Sequence, residues 1–156
     1  IAVPNYQKFT AKSKQSEAKA NLSALYSAER AFYAEWQTYI SRFTAIGYAP
    51  TGMLRYQHGF SADFATFPTN YTGPQGAAAD STTGTYCSQG AAAGAWTNGC
   101  NVQTVPVNPG ALTAGTATAT TFTAQARGDI DGDATIDPWT IDQQKVFANQ
   151  VDDIGG

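Results

Sequence analysis

Leu22-Ser23-Ala24-Leu25-Tyr26-Ser27-Ala28-Glu29-Arg30-Ala31-Phe32-Tyr33-Ala34-Glu35-Trp36-Gln37-Thr38-Tyr39-Ile40 is the stretch on which the fold turns. Leu22, Leu25, Tyr26, Phe32, Tyr33, Trp36 and Ile40 recur at three- and four-residue spacing, with only Glu29 interrupting them. That spacing makes a broad apolar stripe along one face of a helix. Leu22, Leu25, Phe32 and Trp36 are the expected core anchors. No glycine or internal proline interrupts the chain back to Asn5, so a helix is predicted over about residues 5 to 39. Pro4 stands where a first helical turn tolerates it or where a longer helix would kink. At 1.5 Å per residue such a helix is on the order of 50 Å long, more than a domain of this size covers, so part of it must protrude. The half from Tyr6 to Asn21 is polar and basic, with Phe9 as its clearest apolar residue, and is expected outside the core.

The rest of the 156 residues reads differently. Turn residues (Gly47, Pro50, Gly52, Gly59, Pro68, Gly73, Pro74) break residues 41–85 into a long connection with short strands near Met53 to Phe60. Alternation of Thr118, Thr120, Phe122, Ala124 and Ala126 predicts a strand, and two more are expected at Thr135 to Ile141 and Lys145 to Val151. Val102 to Val107 would be another but for Pro106. A long helix followed by strands on short turns is an α+β layout, with the helix on an antiparallel sheet of about four strands. The chain is expected to form one domain, 1–156, divided into the helix (1–40), the connection (41–85) and a stapled loop, sheet and C-terminal region (86–156).

Composition excludes several function classes. Charged residues are 13% of the chain, about half the usual share, and the net charge of −3 argues against a general nucleic-acid binder. Charge is also segregated. Six basic residues face three glutamates up to Arg42, whereas three basic residues face nine aspartates from Phe43 onward. Lys8, Lys12, Lys14 and Lys19 read as a solvated helix face or as a contact surface. Cys87 and Cys100, without histidine partners nearby, read as a loop-closing disulfide contributing about 3 kcal/mol, which implies an oxidising compartment. Zinc is excluded, because His58 is the only imidazole. The same scarcity argues against an enzyme: no nucleophile elbow, phosphate loop or zinc-binding helix occurs, which leaves only a chance meeting of Asp63 with a C-terminal aspartate. No apolar run reaches the length of a membrane span. The chain opens on Ile1-Ala2-Val3-Pro4 without methionine, as if cut from something longer.

One segment has metal-ligand composition. Asp129-Ile130-Asp131-Gly132-Asp133-Ala134-Thr135-Ile136-Asp137 places four carboxylates around a glycine suited to a sharp turn. This is what an oxygen-ligand calcium loop needs, although the glutamate that closes an EF-hand loop is missing. The other reading is a polar turn whose aspartates cap local amides.

Ile1-Ala2-Val3-Pro4-Asn5-Tyr6, Lys12-Ser13-Lys14-Gln15-Ser16-Glu17-Ala18-Lys19-Ala20-Asn21-Leu22 and Ala31-Phe32-Tyr33 closely resemble the N-terminal helix of type IV pilins and related pseudopilins. Gly47-Tyr48-Ala49-Pro50 and Arg55-Tyr56 extend the likeness more weakly. The resemblance implies a pilin fold and a structural subunit that polymerises into a pilus used in adhesion, twitching motility or surface attachment. It implies an upstream apolar segment, beginning with a methylated aromatic residue, that holds an inner-membrane pool before assembly by the pilus machinery. Pro4, Tyr6, Phe9 and Lys12 would then lie at subunit contacts, and the filament would be displayed at the cell surface. No specific nucleic-acid partner and no cofactor other than calcium are implied. Pseudopilins of type II secretion supply an alternative reading, in which a C-terminal calcium loop, here Asp129, Asp131, Asp133 and Asp137, stabilises the subunit. A secreted adhesive module is a third. The mid-chain disulfide departs from the many pilins in which the bridge closes a region at the end of the chain.

Overall fold

The computed structural model describes residues 3–88, 98–103, 109–133 and 135–151. Helix α1 (Val3–Trp36) runs 34 residues, about 50 Å. Its buried side chains are Ala11, Gln15, Ala18, Leu22, Leu25, Glu29 and Phe32. They alternate steps of four and three, one seam down the helix. The seam begins earlier than the apolar pattern does. Exposure of the whole first half is therefore corrected: residues 5–9 are exposed, but Ala11, Gln15 and Ala18 are buried. Hydropathy misses them because two are alanines and the third is a glutamine with a buried partner.

α1 ends at Trp36, short of the predicted boundary, because Gln37 adopts a left-handed backbone (φ 56°). Its amide donates to the Tyr33 carbonyl at 2.8 Å, and its side-chain Nε2 donates to the carbonyls of Tyr33 and Ala34. These bonds satisfy carbonyls that a helix end otherwise leaves unpaired. The reversal folds Tyr39 and Ile40 back into the core, where Tyr39 stacks on Tyr33 at 4.4 Å and meets Phe122 edge-on at 4.9 Å.

The connection carries α2 (Phe43–Ile46), β1 (Gly52–Leu54), β2 (Gln57–Gly59), a 3-10 turn (Ala78–Ser81) and α3 (Thr83–Tyr86). β3 (Cys100–Val102) pairs with β1 in parallel as a separate two-stranded sheet. The main sheet is antiparallel in the order β2-β5-β6-β7, built from β5 (Phe122–Gly128), β6 (Asp137–Asp142) and β7 (Phe147–Asn149). A two-residue fifth strand, β4 (Thr116–Ala117), also pairs with β5. The long strand expected through residues 117–127 is broken by a threonine turn. The Thr118 hydroxyl accepts the amides of Thr120 and Thr121, a local bond that competes with the sheet ladder.

Phe122, Ala124 and Ala126 of β5 are buried, as are Leu22 and Leu25 of the helix. Phe32 is buried, but Trp36 is only half-buried, edge-on to Tyr71 at 4.9 Å. Phe32→Ala should therefore cost about 3 kcal/mol in urea denaturation and Trp36→Ala clearly less. Equal losses would show that Trp36 carries the core contact that its exposure denies it.

Candidate assembly surface and aspartate loop

Asn5 to Phe9 project from the body with no side chain buried, and Tyr6 and Phe9 are each 73% exposed. Pro4 lies in the first turn of α1. Lys12 is exposed on the next turn. Below them an open groove is lined by Phe9, Thr10, Ser13, Lys14, Glu17 and Arg55. The four lysines do not form one face. Lys14 donates to the Ile130 carbonyl and Lys19 sits 4.5 Å over the Trp139 ring, whereas Lys8 and Lys12 point to solvent. Glu17 fastens the helix to the connection by accepting the Arg55 amide at 2.7 Å.

The turn from β5 to β6 holds the aspartates. Oδ1 of Asp129 accepts the amides of Asp131 and Gly132, Asp131 accepts that of Asp133, and Asp133 accepts that of Thr135. Gly132 takes φ 90°, which the turn requires and a side chain would resist. Carboxylate oxygens of Asp129, Asp131 and Asp133 lie within 4.8 Å of one another. Partial burial, with the charges of Asp133 and Asp129 adding to it, raises the Asp131 pKa. The amide and hydroxyl of Thr135 lower that of Asp133.

Asp137 does not belong to this group, which corrects its place among the metal ligands. It is fully buried, and both oxygens are occupied. Oδ1 accepts Gln15 Nε2 at 3.2 Å and Asn149 Nδ2 at 3.1 Å, while Oδ2 accepts Tyr56 Oη and Trp139 Nε1, each at 2.7 Å. Four donors, from α1, from the turn between β1 and β2, and from β6 and β7, converge on this carboxylate. Nothing in the spacing of the aspartates distinguishes it from its neighbours. The signal available was Gln15, a polar residue in register with the seam of buried positions.

Cys87 and Cys100 form the expected disulfide, with Cα atoms 5.1 Å apart. It ties β3 to the end of α3 inside a small cluster with Leu54 and Val102. Within the loop it closes, Ala91-Ala92-Ala93-Gly94-Ala95 and Trp96, whose composition suits either a receptor-contacting surface or a stapled loop with one buried tryptophan, lie outside the described residues. Among the described residues Asp63 meets no C-terminal aspartate. It pairs with Arg42 through two bonds of 2.9 and 2.8 Å, which keeps its carboxyl below the usual range.

No family model matches the chain. It is 34% identical over 164 aligned residues to the type IV major pilin protein PilA of Myxococcus xanthus (strain DK1622), a match spanning 90% of this chain and 70% of that protein. The chain belongs to the type IV pilins. Likeness over nine-tenths of the chain reaches well beyond the helix. The pilin is thus a structural subunit of a cell-surface pilus filament, in a family of structural proteins rather than enzymes. Its long helix on an antiparallel sheet is the arrangement expected of that family. Among the described residues no helix is long and apolar enough to cross a membrane.

Proposed function

We propose that this pilin polymerises as a principal subunit of a pilus serving adhesion and surface motility, and that the exposed first turns of α1 pack against neighbouring subunits. The observation that carries this reading is the pair Tyr6 and Phe9, large apolar side chains left in solvent on a helix whose Leu22, Leu25 and Phe32 are buried. Isolated exposed apolar residues are ordinary, but two aromatic rings three residues apart on a projecting helix form one continuous face. Lys8 and Lys12 flank them, and the acidic body lies at the other end of the charge asymmetry, so head-to-tail stacking brings opposite signs together. An apolar segment upstream of Ile1 would hold the subunit in the inner membrane until the pilus machinery draws it into the fibre.

Phe9→Ala should leave the stability of this chain within about 0.5 kcal/mol and deplete sheared surface fibres when introduced into the full-length subunit. Thermal melts and electron microscopy of the sheared fraction test the two halves separately. Wild-type fibre yield would overturn the contact, and a large loss of stability would mean that Phe9 is covered within the monomer. If long fibres persist in cells lacking the gene while protein secretion fails, the pseudopilin reading replaces this one.

A further inference from the structure

We propose that the chain modifies itself at Asn98-Gly99, where the Gly99 amide nitrogen attacks the Asn98 side chain, ammonia leaves, and water opens the cyclic imide to aspartate or isoaspartate. Asn98-Gly99 is the only Asn-Gly pair of the sequence and stands just before Cys100 of the disulfide. The reaction needs a nitrogen free of other bonds, an open approach and a stabilised leaving group. Both residues are exposed. Among the described residues the Gly99 amide donates to no acceptor, while its carbonyl accepts the Gly52 amide at 2.9 Å and fixes the turn to β1. Gly99 takes φ 73°, and nothing lies within 4 Å of the place a Cβ would occupy. Glycine thus allows the conformation and leaves its nitrogen unshielded.

The leaving nitrogen is the atom that the fold holds. Asn98 Nδ2 donates to the Tyr86 carbonyl at 2.8 Å. A bond forms between Gly99 N and Asn98 Cγ, the bond from Cγ to Nδ2 breaks, and the amide proton departs with the ammonia. As Nδ2 takes up that proton, its bond to the Tyr86 carbonyl becomes charge-assisted and strengthens. An interaction that is stronger in the transition state than in the ground state speeds the step. Tyr86 ends α3 beside Cys87, so the disulfide keeps donor and acceptor together. Asp131-Gly132 is the corresponding aspartate pair, also in a turn, but the Gly132 amide donates to Asp129 Oδ1 at 2.8 Å and is not free to attack.

Opening of the imide by water leaves a carboxylate facing the Tyr86 carbonyl in place of a donor. The bond from the turn to α3 is lost, the acidic body gains a negative charge, and isoaspartate also lengthens the backbone ahead of β3. The change needs only water and time, so it marks the age of the subunit. It is chemistry of the single chain and does not depend on how subunits pack in the filament.

The test incubates the folded chain in mildly alkaline buffer beside the same chain unfolded in guanidinium chloride, and reads both by digestion, mass spectrometry and isoaspartyl-methyltransferase labelling. The peptide carrying Asn98 should lose its amide in most molecules, with isoaspartate exceeding aspartate, at least as fast in the folded chain as in the unfolded one. Asp131 should stay unlabelled in the folded chain over the same time. Asn98→Gln keeps a carboxamide donor but would have to close a larger ring, so it should remove the label at this site. Slower loss in the folded chain would overturn the proposal, because the fold would then protect the pair. Equal labelling at Asp131 in the folded chain, or an undiminished label in Asn98→Gln, would do the same.

Discussion

Asp137→Ala should destabilise the chain by about 4 kcal/mol or more, the largest loss expected from any single substitution outside the hydrophobic core. The carboxylate accepts four hydrogen bonds in a site with no solvent exposure. Hydrogen bonds to an ionised group each contribute about 1.5–3 kcal/mol, and a buried donor left unpaired costs about 1–3 kcal/mol. Truncation leaves four donors unmet at once. Tyr56 Oη has no exposure to recover a water, whereas Trp139 and Asn149 are half-exposed and recover part of their loss. Asp137→Asn keeps an acceptor but turns an NH2 towards two of the donors, so it should fall between the variant and the wild type. Urea denaturation measures both. A loss below about 1 kcal/mol for Asp137→Ala would mean that water replaces the carboxylate and that the hub does not hold helix to sheet.

Glu29→Gln should stabilise the protein by an amount that grows with pH. Glu29 lies on the buried seam of α1 with no exposure, and neither oxygen has a hydrogen-bond partner among the described residues. The Ile40 amide faces the carboxyl from outside hydrogen-bonding geometry, and its small lowering effect is outweighed by burial, which raises the pKa well above the ordinary 4.5. The folded state therefore holds a proton that the unfolded chain releases above pH 4.5. Stability is retained below that value and falls by about 1.4 kcal/mol per pH unit above it, for as long as the carboxyl stays protonated. Glutamine does not titrate. The difference between variant and wild type should be small near pH 4 and should widen at that slope.

His58 supplies the opposite slope in both proteins. It is fully buried with Nε2 2.6 Å from Tyr48 Oη, and burial lowers its pKa to about 4. Its neutral ring favours folding above pH 6.5, and about 3 kcal/mol is lost as the pH falls through that window to 4. Wild-type stability should thus change little between pH 4.5 and 6.5, where the two groups oppose each other. The glutamine variant should rise with pH over the same range. Denaturant melts across this range decide it, and parallel curves for the two proteins would show that Glu29 is ionised in the fold.

Local chemistry carried much of this to the surface of the sequence. Three- and four-residue spacing from Leu22 onward determined the helix and its buried face, because a helix repeats its environment every 3.6 residues whatever it packs against. The alternation at Phe122, Ala124 and Ala126 determined one buried face of β5 but not the burial of Gln125 on the other, and the cysteines could meet because a short loop keeps them close. The likeness of the helix to pilins carried the family. Boundaries read less well. Gln37 ends the helix by a left-handed turn that non-glycine residues seldom adopt, and Thr118 trades ladder bonds for its own hydroxyl. Neither choice follows from hydropathy.

Tertiary structure alone decided the roles of the polar residues. Asp129 and Asp137 are the same residue type eight positions apart, yet among the described residues one has an oxygen without a donor and the other fills both oxygens. Glu29 looked like a gap in an apolar stripe and is a fully buried carboxyl whose pKa burial raises, while Gln15 looked like solvent-facing polarity and reaches the Asp137 hub. A polar side chain is defined by its partners, and two of those of Asp137, Gln15 and Tyr56, arrive from far away in the chain. Periodicity records which way a residue points, and only the assembled fold determines what it meets there.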